Sequence, residues 1–165
     1  MTGLPVVLGS ERSPCDVFMQ IEGEGQRISA LELCAAMDKS NTLRACFQRF
    51  AHVFSTQLAY TALASAQGDI EERLARWLLM AQDRVGTNVL ALTPDVLAVT
   101  LGVRRASVTS ALGELQRAEA IEIARRSITV KDRNRLRDCA DGLYGQPEAE
   151  HKRLFNAAGT LARAR

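Results

Sequence analysis

The chain is poor in the residues from which reactive and metal-holding sites are built. Its four cysteines, Cys15, Cys34, Cys46 and Cys139, are scattered without a CxxC pair, which excludes a zinc-type spacing and a disulfide framework and leaves reduced thiols. The two histidines, His52 and His151, have no companion ligands nearby. His52 is expected on a helix flank and His151 in a polar tail. No glycine-rich phosphate loop and no nucleophile–base pair is visible, so neither an enzyme nor a bound cofactor or metal is expected. Hydrophobic residues form 47% of the chain, yet charges interrupt them every few positions and no run is long enough to span a bilayer. The opening MTGLPVVLGSERS lacks a basic start and a long apolar core. No signal peptide is read there, and a soluble cytoplasmic protein is expected. Formal net charge is only +2 over 165 residues, so any nucleic-acid binding must come from local charge rather than bulk attraction.

What is present is concentrated between Leu92 and Val130. Thr93 is a good N-cap and Pro94 suits a first helical position, where no amide partner is needed. A short helix is predicted from Pro94 to about Thr100, with Leu97, Ala98 and Leu101 turned inward. Gly102 supplies the left-handed residue for a sharp turn. A second helix starts after Val103, burying Val108, Ala111, Leu112 and Leu115 at helical spacing. Its outward face carries Arg104, Arg105, Ser107, Thr109 and Ser110. Small residues let such a face sink into a DNA major groove while arginine forks reach guanine edges and phosphates. A plain helical hairpin is the alternative, but two arginines at a helix start oppose the helix dipole, a cost a polyanion would offset. Ile121–Ala124 and Ser127–Lys131 then alternate as two short strands, a wing. Their turn, Arg125–Arg126, has no Gly, Asn or Asp, so it is expected to be loose or strained. Arg125 and Arg126 reach a flanking phosphate or the minor groove, or else form an exposed basic turn.

Upstream, a long helix is predicted from about Thr42 to Ala66. Leu43, Phe47, Phe50, Phe54, Leu58 and Thr61 recur along it at steps of four and three, a seam that serves either as core or as a dimer interface. Gln67–Gly68 breaks this helix. Asp69 and Glu72 form a capping-box pattern for the next, whose inward stripe is Ile70, Leu74, Trp77, Leu78 and Ala81, ending near Arg84. Trp77 is read as a core anchor, and Gly86 to Leu90 as a loop or short strand.

EERLARWLLMAQDRVG (Glu71–Gly86), LTPDVLAVTLGVRRASVTSALGELQRAEAI (Leu92–Ile121) and ITV (Ile128–Val130) together resemble the Crp/Fnr family of bacterial transcription regulators, above all its winged-helix DNA-binding domain. The resemblance implies that Arg105, Ser107 and Ser110 face the bases, with Arg104 and Thr109 nearer the phosphates. Where the family often has an acidic residue and a second arginine, this chain has Ala106 and Ser110, so the family's best-known target sequence is not carried over. The resemblance also implies a homodimer, formed along the long helix through Leu43, Phe47, Phe50, Phe54 and Leu58. Such a dimer would read a roughly palindromic site in double-stranded DNA, with RNA polymerase as a possible further partner.

The first forty residues have strand-like runs at Val6–Leu8 and Val17–Ile21, with turns at Gly9–Ser10 and Glu22–Gly25. In the family an eight-stranded, cyclic-nucleotide-binding-like β-roll stands here, and this segment resembles only its last part. Arg12–Ser13 is similar to the pair that grips a cyclic phosphate in such rolls. The matching glutamate and most of the pocket wall are missing, so Arg12–Ser13 is read as a surface turn and no nucleotide is expected. The chain is either a fragment or a shortened regulator. Asp132–Gly142 is expected to form a closing helix, with Leu136, Cys139, Ala140 and Leu143 inward. Tyr144–Pro147 marks a boundary before a polar tail ending in Arg163–Arg165.

The expected fold is therefore mainly α with small β elements. A partial β-roll (1–40) leads into a dimerisation helix (41–67), a winged helix-turn-helix domain (68–145) and a tail (146–165). The expected function is sequence-specific DNA binding. The alternative is a truncated interaction protein that heterodimerises with full-length relatives.

Overall fold

Local capping decides where most of the helices begin. The computed structural model describes residues 2–21 and 23–162. Its elements, in chain order, are α1 (Leu4–Val7), α2 (Ala30–Lys39), α3 (Asn41–Gln67), α4 (Ile70–Val85), β1 (Val89–Leu90), α5 (Pro94–Leu101), α6 (Arg105–Arg117), β2 (Ile121–Ala124), β3 (Ser127–Val130), α7 (Arg133–Cys139) and α8 (Gln146–Ala162). They fall into two units, one comprising Ala59–Gln146, the other Met1–Leu58 with Pro147–Arg165.

In the second of these units, Ser29 and Glu32 cap α2 reciprocally: Glu32 N donates to Ser29 Oγ at 3.2 Å, and Ser29 N donates to Glu32 Oε2 at 3.2 Å. The Ser29 hydroxyl and amide hold the Glu32 carboxyl below its ordinary value. Ser40 Oγ accepts from Leu43 N at 3.2 Å at the start of α3. Met37, Ala51 and Val53 are buried here. On α8, Arg153 grips Glu150 at 2.7 Å through both Nε and Nη2, and His52 Nε2 of α3 lies 2.8 Å from the same carboxylate. The Arg153 hydrogen bonds, then that of His52, pull the Glu150 carboxyl down to about 2.

The strands expected at Val6–Leu8 and Val17–Ile21 do not form. Leu4–Val7 is a helical turn led by Pro5, and residues 17–19 are exposed and form no regular structure. An isolated run of three or four apolar residues has no neighbour to complete a ladder, so proline-led local hydrogen bonding prevails. Among the described residues no strand precedes Val89. The polar tail is ordered as α8 through Ala162, with His151 stacked on Phe155 at 4.7 Å between ring centroids. Glu22, in the turn expected at Glu22–Gly25, and the basic end Arg163–Arg165 lie outside the described residues.

The Ala59–Gln146 unit holds the larger core. Asp69 and Glu72 make the expected capping box at 2.9 Å in both directions, and Gly86 closes α4 in the left-handed conformation. Gly68, just past α3, leaves no room for a side chain: a Cβ there would stand 2.7 Å from Leu143 Cδ1 and 2.9 Å from the Ala64 carbonyl oxygen. The sheet is antiparallel in the order β1-β3-β2, with Val89 opposite Thr129, Ile121 opposite Val130 and Ala124 opposite Ser127. Leu74, Leu78, Leu79, Leu90, Leu97, Val108, Leu112, Leu115, Ile128 and Leu136 are fully buried, each contributing about 1.5–3 kcal/mol through burial. Trp77, read as a core anchor, is half-buried, while Ala75 and Leu79 on the same helix are fully buried. Burial on α4 extends beyond the stripe read from sequence, to Ala75, Arg76 and Leu79, because α6 and α7 both pack on it.

Candidate nucleic-acid interface

The α5–turn–α6 pair is built as its sequence dictates. Thr93 Oγ1 accepts from Val96 N at 3.4 Å, Pro94 occupies the first turn, and Gly102 turns the chain with φ +66°. Val103 N then donates to the Ala98 carbonyl at 3.0 Å, tying the turn to the end of α5. Leu97 and Leu101 from α5 share the core with Val108, Ala111, Leu112 and Leu115 from α6. The remaining α6 surface is therefore fixed in orientation by a buried stripe on its opposite side.

That surface carries the residues expected there. Arg104 is the N-cap of α6, with no side-chain cap bond, and Arg105 is its first helical residue. Arg104, Arg105, Thr109 and Ser110 are exposed, and Ser107 is half-buried. Helical geometry sets Arg105 and Thr109 on one flank of the buried stripe and Ser107 and Glu114 on the other, with Ser110 outermost. The Thr109 hydroxyl donates to the Arg105 carbonyl at 3.0 Å, so its donor is committed to the helix. Ser107 and Ser110 line an open cleft with Gly68, Asp69, Ile70, Glu71 and Glu114. The Glu71 carboxyl there is raised above its ordinary value, first by burial and then by the charges of Asp69 and Glu114. The two flanks of α6 thus differ in charge.

Pairing sorts the arginines. Arg105 Nε lies 3.4 Å from Oδ1 of Asp95 on α5. Arg117 pairs with Glu114 three residues earlier, Lys131 with Glu122 at 3.3 Å, and Arg135 with Glu119. Glu114, Glu119 and Glu122 are thus each paired with a cation other than Arg104, Arg125 or Arg126. Arg104, Arg125 and Arg126 enter no ion pair among the described residues.

The wing turn is tight: Ala124 faces Ser127 directly across Arg125–Arg126, and neither arginine adopts a positive φ. The turn expected to be loose or strained is therefore not loose, and neither arginine carries left-handed backbone strain. Both side chains are exposed. Asp95 is the residue that sequence reasoning passed over here. Its pairing with Arg105 crosses the helix turn, and periodicity along one helix carries no signal for it.

Among the described residues, no group of three or more His, Cys, Asp or Glu side chains is gathered closely enough to hold a metal ion. No described helix is long and apolar enough to cross a membrane.

Residues 72–139 match the model of the Crp-like helix-turn-helix domain. No curated protein matches the chain by sequence. Among solved structures, a protein from Eubacterium rectale assigned to the Crp/Fnr family of transcriptional regulators aligns with a TM-score of 0.52 at 23% identity, over 70% of this chain and 53% of its own. A Crp/Fnr-family transcriptional regulator from Thermus thermophilus aligns at 0.45 and 23%, over 67% and 56%. The catabolite activator protein of the same organism aligns at 0.42 and 20%, over 71% and 55%. The chain spans about half the length of each of these proteins.

Proposed function

Since residues 72–139 match the Crp-like helix-turn-helix domain, we propose that the chain is a Crp/Fnr-type transcriptional regulator that binds DNA by laying α6 in the major groove. The observation that carries this reading is the start of α6. There Arg104 and Arg105 stand exposed on a helix whose opposite side is locked into the core. Arginine forks match the guanine edge, and Ser107 and Ser110 are small enough to let the helix approach. Arg125 and Arg126, unpaired at the wing tip, serve the phosphate backbone. Transcription is then affected through RNA polymerase, which a protein seated on promoter DNA either recruits or obstructs. No catalytic step belongs to this reading.

The same reading makes the chain a homodimer joined along α3. Leu43, Phe47, Phe50 and Phe54 are only half-buried and Leu58 is 51% exposed, an apolar seam left open along a helix. A two-fold pair would present two copies of α6 to successive major grooves, about 34–36 Å apart, and so read a near-palindrome. The open seam also favours a second reading, in which it pairs with a longer relative and alters that protein's DNA binding.

Selection of bound duplexes from random DNA, at physiological salt, tests the proposal. The Arg104→Ala/Arg105→Ala protein is run alongside, with its fold checked by circular dichroism. Enrichment of a two-fold-symmetric site by the parent, lost in the variant, is the expected result. A folded parent that enriches nothing defeats direct DNA reading by the homodimer and leaves the partner-dependent form.

A further inference from the structure

Asp95 and Arg105 belong to different helices, α5 and α6, and meet across the turn at Gly102 with Nε 3.4 Å from Oδ1. Both side chains are about two-thirds exposed, at 64% and 67%. A solvated pair of this kind adds little to fold stability, so its effect lies in where it holds the guanidinium. The first turn of α6 contains no acidic residue, while Arg104 and Arg105 both crowd its positive end. The carboxylate paired with Arg105 therefore comes from the neighbouring helix.

The contact engages one particular edge of the arginine. A guanidinium offers donors at Nε, Nη1 and Nη2 in a fixed planar fork. With the ion pair made at Nε, the two terminal nitrogens are available as a matched pair, the arrangement that guanine O6 and N7 accept from an arginine approaching end-on. The same carboxylate repels phosphate oxygens, which would otherwise draw this flexible side chain to the backbone.

We propose that Asp95 is a positioning residue that sets base specificity, holding Arg105 by Nε so that its terminal pair reads one base rather than a phosphate. This rests on the reading of α6 as the DNA-reading helix, and the test separates the two. Once a preferred site is known, binding is measured to a set of duplexes carrying each of the four bases at every position. Arg105→Ala identifies the position that Arg105 reads. Asp95→Asn is expected to flatten base preference at that position by roughly two- to fivefold, the equivalent of one exposed charge pair. Preference at the other positions is expected to stay unchanged, and Asp95→Glu, which restores a carboxylate, to recover most of the loss. In the Arg105→Ala background, Asp95→Asn is expected to change base preference nowhere.

A uniform rise or fall across all sequences in Asp95→Asn would mean a general charge effect and overturn the positioning role. So would unchanged preference at every position. If instead Arg105→Ala alters preference at no position, or the parent prefers no site, the reading of α6 fails and this role fails with it.

Discussion

Arg76, 4% exposed, donates from Nε to the Leu143 carbonyl at 3.0 Å, joining residues 67 positions apart. Its Nη2 also donates to Thr61 Oγ1 at 3.1 Å. One buried guanidinium thus ties the last turns of α3 to the stretch that follows α7. Hydrogen bonds to a charged donor are stronger than neutral ones, and removing the donor leaves the carbonyl without that partner in a dry place. Arg76→Ala should cost about 2–4 kcal/mol of unfolding free energy, with Arg76→Lys losing less. Urea titration followed by tryptophan fluorescence, through the single Trp77, reads both. A loss below about 1 kcal/mol for the alanine variant would show that the network is dispensable.

Glu71 offers a pH-dependent test. It sits in the first turn of α4, where the helix dipole favours a negative charge. Burial and the nearby Asp69 and Glu114 nonetheless raise its carboxyl above 4.5, so desolvation and like charge outweigh the dipole. A raised carboxyl means that the folded state holds its proton more tightly than the unfolded state does. Stability from this group is then present at low pH and is lost as pH rises through the window above 4.5. Glu71→Gln should therefore melt higher than the parent at pH 7, by about 1–3 °C, and level with it near pH 4. A gain that is the same at both pH values would point to a cause other than ionisation.

The helices and the turn of the reading motif were legible because their determinants are local. Thr93, Pro94 and Gly102 mark one helix from end to end, and Asp69 with Glu72 starts another. The α6 stripe of Val108, Ala111, Leu112 and Leu115 is buried as its spacing required. The first forty residues were misread because Val6–Leu8 and Val17–Ile21 are apolar but too short to declare a period, and a strand needs a partner that no local signal specifies. The start of α2 carries a local signal of the same kind, since Ser29 and Glu32 have capping-box spacing. What the sequence could not carry was pairing across elements: Asp95 with Arg105, Arg76 with Leu143, and the cleft joining Ser107 and Ser110 to Glu71. These depend on how α4, α5 and α6 pack, which no single helical pattern encodes.

Arg105 and Arg125 should fail differently. Arg105 sits at the start of α6, whereas Arg125 lies at a tight, exposed hairpin tip. Arg105→Ala is expected to weaken specific binding by roughly 1–3 kcal/mol and relax base choice at one position. Arg125→Ala should weaken binding to all sequences alike and reduce the slope of log K against log salt by about 1, the loss of one phosphate contact. Fluorescence anisotropy across a salt series distinguishes the two. Identical behaviour of the two variants would remove the grounds for treating helix and wing as separate readers.

The α3 seam makes the most demanding prediction, because it links assembly to DNA binding. Phe50 and Phe54 stack with ring centroids 6.2 Å apart, one turn from each other on the same face. Apolar rings left half-covered on a long helix gain by pairing with a second copy, which would complete their burial. Two linked half-site contacts bind far more tightly than one, since the second is made at high effective concentration. Phe50→Ser/Phe54→Ser should therefore shift sedimentation from dimer toward monomer. Binding to a two-half-site duplex should weaken by roughly 100-fold, while binding to an isolated half-site changes little. Were the parent itself monomeric at micromolar concentration and still tight on the full site, the seam would be serving the fold of one chain, and the two-fold reading would give way to a single α6 engaging a single half-site.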